Sequence, residues 1–414
     1  MSKKIKQKKY WLVILPHIYY VQKNKQGLVY NTQTGEYMQI HSKKILNLLE
    51  QMHEKTNLGV ICIGETILEQ TEINVFIKES VLKNIFIITQ MIEGQPKPIH
   101  LMPVLNLQRE VEKLKKEEGR TLGENIFHYL SDITIYLNNS CVFDCAGCGD
   151  YFNQFFHCSK SFNTENIDFD LLKRFFKHLT ISYIRRLAIT GGNIFLYPYF
   201  SELINFLHKE KIFSIFGIHY RNIDMKKIKL LNDFAIELFV TFPIEEKFVK
   251  KIISLSKQNN TTIIFIISSE EDYRKAEIII SQYILKNYSI RPFFNGENHT
   301  FFKNNVYLTK EDILRTTISQ RKIFSRQKLN TNFFGRIHLF PNGDIKAHPF
   351  KEVIDNCQQE LLVKIIEKEL ITNTAWRIVR DKEPCNNCIY QYLCPSPSEY
   401  EWVINKNNLC TVIP

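Results

Sequence analysis

The pattern of apolar and polar positions divides the chain into four stretches. Residues 1–95 read as a small α+β unit, with strands over 11–22, 28–30 and 37–40 and a turn at 32–35. Ser42 stands where it can cap a helix beginning near 43, and Ile45, Leu46, Leu48, Leu49 and Met52 give that helix one apolar face. A strand over 60–63 and a helix or two follow. The run Ile85, Phe86, Ile87, Ile88 is too short for periodicity to separate a buried strand from a buried helical segment. Residues 96–130 form a connector whose charged stretch at 106–119 predicts a solvated helix docked by Val111 and Leu114.

From 131 to 325 the pattern becomes apolar strands alternating with amphipathic helices. The strands fall at 133–137, 186–190, 212–219, 236–241 and 263–267, with a weaker sixth at 290–294. Helical patterns at 170–178, 199–209, 244–257 and 272–285 lie between them. Strands separated by helices predict a parallel sheet with βα crossovers. Five or six such repeats without a phosphate-binding loop point to a partial or full β/α barrel, with its chemistry at the carboxyl ends of the strands. Thr241, Ser268, Ser269 and Asn295 fall near those ends. Residues 326–414 differ again. They hold a hairpin turning at Pro341-Asn342-Gly343-Asp344, a helical segment with Trp376, and a cysteine-rich tail.

Composition narrows the picture. A chain of 414 residues fits two or three domains. Hydrophobic residues make up 44%, which excludes wholesale disorder. The net charge of +11 permits an acidic partner without identifying one. No segment has the ~18 to 20 unbroken apolar residues needed to cross a membrane. The opening KKIKQKK, then WLVILPHIYYV, is interrupted by a proline and lacks a small-residue cleavage site, so it reads as a basic tail leading into a strand. The expected location is cytoplasmic, where thiols stay reduced.

Ten cysteines are too few for a disulfide scaffold in a chain this long, and their grouping matters more. Cys141, Cys145 and Cys148 place three thiols within eight residues, just beyond a predicted strand. Such a loop can hold a [4Fe-4S] cluster with one iron open, or zinc with His157 or Cys158 as a fourth ligand, or simply three buried apolar thiols. After the second strand comes Gly191-Gly192-Asn193, where two residues without side chains allow close backbone approach; an ordinary strand-to-helix turn reads the same way. In the tail, Cys385, Cys388, Cys394 and Cys410 could complete a closed coordination shell of zinc or iron-sulfur. Cys62, Cys158 and Cys357 read as small hydrophobes, and His348 as a surface or hydrogen-bonding histidine.

The CxxxCxxC spacing directly after the first barrel strand resembles the radical S-adenosylmethionine (SAM) superfamily. The resemblance implies a partial (β/α)6 barrel in which Cys141, Cys145 and Cys148 hold a [4Fe-4S] cluster. SAM chelates the open iron there and is cleaved to a 5′-deoxyadenosyl radical. Gly147 falls where an aromatic residue near the adenine is usual. Gly191-Gly192-Asn193 resembles the Gly-Gly-Glu motif that receives the SAM amino group, but Asn193 offers only a neutral carbonyl where a carboxylate is usual. The tail resembles a SPASM domain, which implies an auxiliary [4Fe-4S] cluster on Cys385, Cys388, Cys394 and Cys410. The ligands of a further auxiliary cluster are missing, since His348 and Ser398 stand in two of those places.

The segments YNTQTGEY at 30–37, VEKLKKEEGR at 111–120 and IYLNNSC at 135–141 are similar to the pseudo-radical-SAM branch of Bacteroidales-type peptide-maturation cassettes. That branch implies two partners, a precursor peptide and a radical SAM/SPASM maturase. It also implies a winged-helix-like first unit that takes a peptide as an added strand. The cysteine triplet favours an active maturase. Asn193, Gly147 and the missing auxiliary ligands favour, slightly more strongly, an accessory, substrate-binding role. Modification of nucleic acid rests on basic charge alone and is set aside.

Overall fold

The computed structural model describes residues 8–99, 129–143, 154, 165–179, 184–258 and 260–412. The connector helix expected at 106–119 lies outside them, as do Cys145, Gly147, Cys148, His157 and Cys158.

The stretch expected as one strand over 11–22 is two strands in different sheets. Pro16 has no N–H to contribute to a ladder, and the chain turns there, with Ile18 N donating to Leu15 O at 3.1 Å. Strand β1 (Lys9–Ile14) lies between β5 (Val60–Gly64) and β6 (Phe86–Gln90), antiparallel to both. Strands β2 (Ile18–Lys23), β3 (Gln26–Asn31) and β4 (Tyr37–Ile40) form a separate antiparallel meander. Asn24, at φ 52°, supplies the left-handed residue that a tight β2–β3 turn requires. Helix α1 (Lys43–His53) buries the five expected apolar residues, although the Ser42 side chain makes no capping bond. Helices α2 (Glu65–Leu68) and α3 (Thr71–Leu82) precede β6. The ambiguous run around 85–88 resolves as β6 because Phe86 is buried and Ile87 exposed, a period of two.

The large sheet begins with β7 (Asp132–Tyr136), β8 (Arg186–Thr190), β9 (Ile215–His219), β10 (Ala235–Thr241), β11 (Thr261–Ile267) and β12 (Tyr288–Pro292). All six run parallel, side by side in chain order. Helices α4 (Phe169–His178), α5 (Phe200–Lys209), α6 (Glu246–Ser256) and α7 (Glu270–Tyr283) connect them, except between β9 and β10, where short 3-10 turns at 220–222 and 227–231 suffice. These strands read as nearly continuous apolar runs because the sheet is covered on both faces.

Among the described residues the sheet is open. It continues past β7 to β13 (Arg336–Leu339), which runs parallel to β7, and then to the antiparallel β14 (Asp344–Lys346) and β15 (Asp355–Asn356), and its ends β12 and β15 do not pair to close a barrel. The expected hairpin at Pro341–Asp344 is therefore present, with Gly343 at φ 90°, but it is built into the sheet. Helices α8 (His299–Asn305), α9 (Lys310–Leu314), α10 (Gln320–Lys328), α11 (Leu362–Thr372) and α12 (Glu399–Ile404) complete the described elements.

One apolar cluster extends from Leu130 through the parallel strands and their helices to Trp376. A second lies under the β1 sheet and α1. A third joins Leu28 and Tyr30 of β3 to Ile313, Ile323, Ile389 and Leu393, so the amino-terminal meander sits against the carboxyl-terminal tail. The Tyr30 hydroxyl accepts a hydrogen bond from Ile318 N at 2.8 Å across that junction. No helix among the described residues is long and apolar enough to cross a membrane.

Candidate functional site

The carboxyl ends of the parallel strands are where a β/α sheet places its chemistry, and here their polar groups are turned on one another. The glycine pair after β8 lies under the segment leaving β7. A Cβ on Gly192 would stand 2.1 Å from Ser140 O, and one on Gly191, at φ 152°, would stand 2.6 Å from Asn138 O. Backbone packing therefore requires both glycines. Asn193 is equally committed. Its Oδ1 accepts from Phe195 N at 3.1 Å, capping the following 3-10 turn. Its carbonyl accepts from Asn138 Nδ2 at 2.8 Å, and its N–H donates to Asn138 Oδ1 at 3.2 Å. Asn222 Nδ2 donates to Gly192 O at 2.9 Å.

The other strand-end candidates also serve the fold. Ser269 caps α7 by accepting from Asp272 N, while Asp272 Oδ2 accepts from both the N–H and hydroxyl of Ser268, each at 2.9 Å. Asn295 Oδ1 accepts from Glu297 N and Asn298 N. Thr241 Oγ1 lies 3.3 Å from His219 Nε2. Burial first, and the Arg221 guanidinium second, push the His219 ring down to about 4, so it is neutral at physiological pH. Arg221 in turn pairs with Glu245 at 2.8 Å and lies over the rings of Phe143 and Tyr220.

The expectation of two [4Fe-4S] clusters, with SAM as ligand, is not met. Among the described residues no three His, Cys, Asp or Glu side chains are grouped to hold a metal ion. Burial raises the Cys385, Cys388 and Cys394 thiols, the last to about 12. The four tail cysteines do line one small pocket with Arg380. Within it, Cys385 Sγ faces Asn407 O at 3.6 Å and Cys410 Sγ faces Val412 O at 3.8 Å. Cys388 and Cys394 belong to the third apolar cluster. Cys141 Sγ faces Phe143 O at 3.9 Å, while its expected co-ligands Cys145 and Cys148 lie outside the described residues. His348 is not at the surface. It is fully buried against Phe333 and Trp402, and its Nδ1 accepts from Phe350 N at 3.1 Å.

Two features stand out elsewhere. The first is the β6 edge. Met91 N donates to Lys9 O and Leu15 N to Ile85 O, which fixes the alternation of this antiparallel pair. Residues 85, 87, 89 and 91 bond to β1, so the backbone groups of Phe86, Ile88 and Gln90 face outward. Ile87 and Met91 are exposed beside them, at 42% and 37%. The second is Gln154, only 1% exposed, which is held against the loop after β12. Neither was singled out in the sequence. An edge strand looks like any other, and a lone glutamine has no pattern to mark it.

No protein-family model matches the sequence, and no curated protein does. Among solved structures the chain is similar to SuiB of Streptococcus suis, with a TM-score of 0.49 at 11% identity over 97% of this chain and 100% of that one. SuiB bound to its precursor peptide SuiA gives 0.48 at 13% identity, over 96% and 97%. Native anSMEcpe with bound AdoMet and the Kp18Cys peptide gives 0.46 at 14% identity, over 64% and 87%.

Proposed function

We propose that this chain binds a precursor peptide and presents it to a radical SAM maturase, taking no catalytic step itself. The observation that carries the reading is the β6 edge, which no other strand among the described residues pairs. The outward-facing backbone of Ile88 and Gln90 and two exposed apolar side chains, Ile87 and Met91, offer an extended peptide both hydrogen bonds and side-chain contacts. The resemblance of the amino-terminal segment to the pseudo-radical-SAM branch supports the same role. The internal commitment of Asn193 agrees with it, because that turn has no acidic group to receive an ammonium.

The test is co-expression of the chain with the precursor peptide and maturase of its own gene cassette. Modification of the peptide should depend on this chain. It should fall in a Gln90→Pro variant, which removes one outward-facing donor and leaves the β1 ladder intact. Modification at the full rate without the chain would overturn the proposal.

A further inference from the structure

A cleft of about 490 Å³ opens between three parts of the chain that are far apart in sequence. One wall is the β2–β3 turn with Lys23 and Lys25, another is the start of α9 with Lys310, and the floor is formed by residues 387–390 and 411–412. Glu311 is the single carboxylate among the lining residues. Among the described residues no carboxylate lies within ion-pair distance of any of the three lysines. Lys310 Nζ donates to Gln39 Oε1 at 2.6 Å and lies over the Tyr37 ring, so it is held at the rim. A half-enclosed space with excess ammonium charge attracts anions and raises their local concentration.

The rest of the lining selects among anions. Gln26, Gln39 and Asn387 present side-chain amides, which donate to and accept from a peptide backbone. The aromatic residue in the cleft, Tyr390, is 3% exposed and packed in the third apolar cluster, so its ring is no platform for stacking bases. No arginine lines the cleft for bidentate phosphate recognition.

We infer that this cleft binds an acidic peptide segment, with its carboxylates on Lys23, Lys25 and Lys310 and its backbone on the amides. This rests on the peptide-binding reading above and names the charge of the peptide and a second place where it is held.

The test uses the full chain and a fluorescein-labelled peptide of alternating Glu and Gly, read by fluorescence anisotropy. Binding should weaken as salt rises, and should fall roughly tenfold or more in a K23E/K25E/K310E variant. A control with the same change of charge elsewhere, K250E/K257E/K286E, should bind as the native chain does. Circular dichroism checks that each variant is folded, and the milder K23Q/K25Q pair serves if the triple variant is not. Equal binding by the cleft variant and the control would overturn the inference, as would tighter binding of a thymidine oligonucleotide. Precursor binding lost in Gln90→Pro but unchanged by the lysine substitutions would remove the cleft and leave the edge reading standing. No binding of precursor by the native chain would remove that reading itself.

Discussion

The side-chain amide of Gln154 answers both backbone groups of Phe294: its Nε2 donates to the carbonyl at 2.6 Å, and its Oε1 accepts from the N–H at 2.8 Å. One side chain thus takes the place of a neighbouring strand at the end of the parallel sheet. Replacing it by leucine keeps the bulk and leaves two buried backbone groups without these partners. The expected loss of stability is about 2 to 4 kcal/mol, read from the shift of the thermal unfolding midpoint. Hydrogen exchange at the Phe294 amide should accelerate at the same time. Unchanged exchange there would show that the pairing does not anchor this loop.

Gly192 is the position with least room at the strand ends. A Gly192→Ala variant puts a methyl group 2.1 Å from Ser140 O, so the segment leaving β7 must move. A destabilisation of about 1 to 3 kcal/mol is expected. Asn193→Asp should change little, since aspartate caps as well as asparagine. If both variants melted with the native chain, the close approach of the two segments would be wrong.

Stability should depend on pH through His219. Its folded-state value near 4 lies below the ordinary 6.5, so the folded chain resists protonation more than the unfolded chain does. The stabilising contribution is complete above pH 6.5 and is lost as pH falls toward 4, amounting to roughly 3 kcal/mol. His338 and His348, both buried and both pushed well below the ordinary value, act in the same direction. Urea unfolding measured across that window should show a shallower slope in His219→Gln. Superimposable profiles would rule out His219 as a contributor.

Arg380 and Glu401 form a buried ion pair at 2.5 Å, with the two side chains 9% and 3% exposed. Glu401 also accepts from the Ser398 hydroxyl at the start of α12. Removing one partner leaves the other charge buried without this partner, and Arg380→Ala should cost about 3 to 5 kcal/mol. A joint Arg380→Met and Glu401→Leu exchange should recover most of that loss. A double variant as unstable as the single one would mean that the capping bond, rather than the pair, matters.

Thiol reactivity separates the cysteines. Cys62 is exposed, whereas Cys385, Cys388 and Cys394 are buried with raised thiol values. Brief labelling with a maleimide, mapped by mass spectrometry, should mark Cys62 well before those three. Prompt labelling of Cys394 would contradict its burial.

Much of the fold could be read from sequence because burial on both faces writes long apolar runs. The strands from β7 to β12 lie within a few residues of where those runs place them. Position in the sheet was harder. Nothing in Arg336–Leu339 announces that it pairs with β7, some two hundred residues away, rather than only with its own hairpin partner. The break at Pro16 was visible as a residue but was overridden by the apolar run around it. The polar candidates at the strand ends were ambiguous for one shared reason. Asparagine, serine and glycine serve turns and caps as readily as ligands, and only contacts distinguish the two, as they do for Asn193 and Ser269. Cys385, Cys388, Cys394 and Cys410 line one small pocket, but among the described residues no three His, Cys, Asp or Glu side chains are grouped to hold a metal ion, which spacing in the sequence could not reveal.

The pairing of β13 with β7 has a consequence for any attempt to cut the molecule into pieces. A chain ended before residue 336 would lose the strand that flanks Ile133 and Ile135, baring an apolar ribbon in the middle of what had been a continuous sheet. Such a fragment is expected to associate with itself through that ribbon. The tail is thus no detachable appendage, because β13 pairs with the flank of β7.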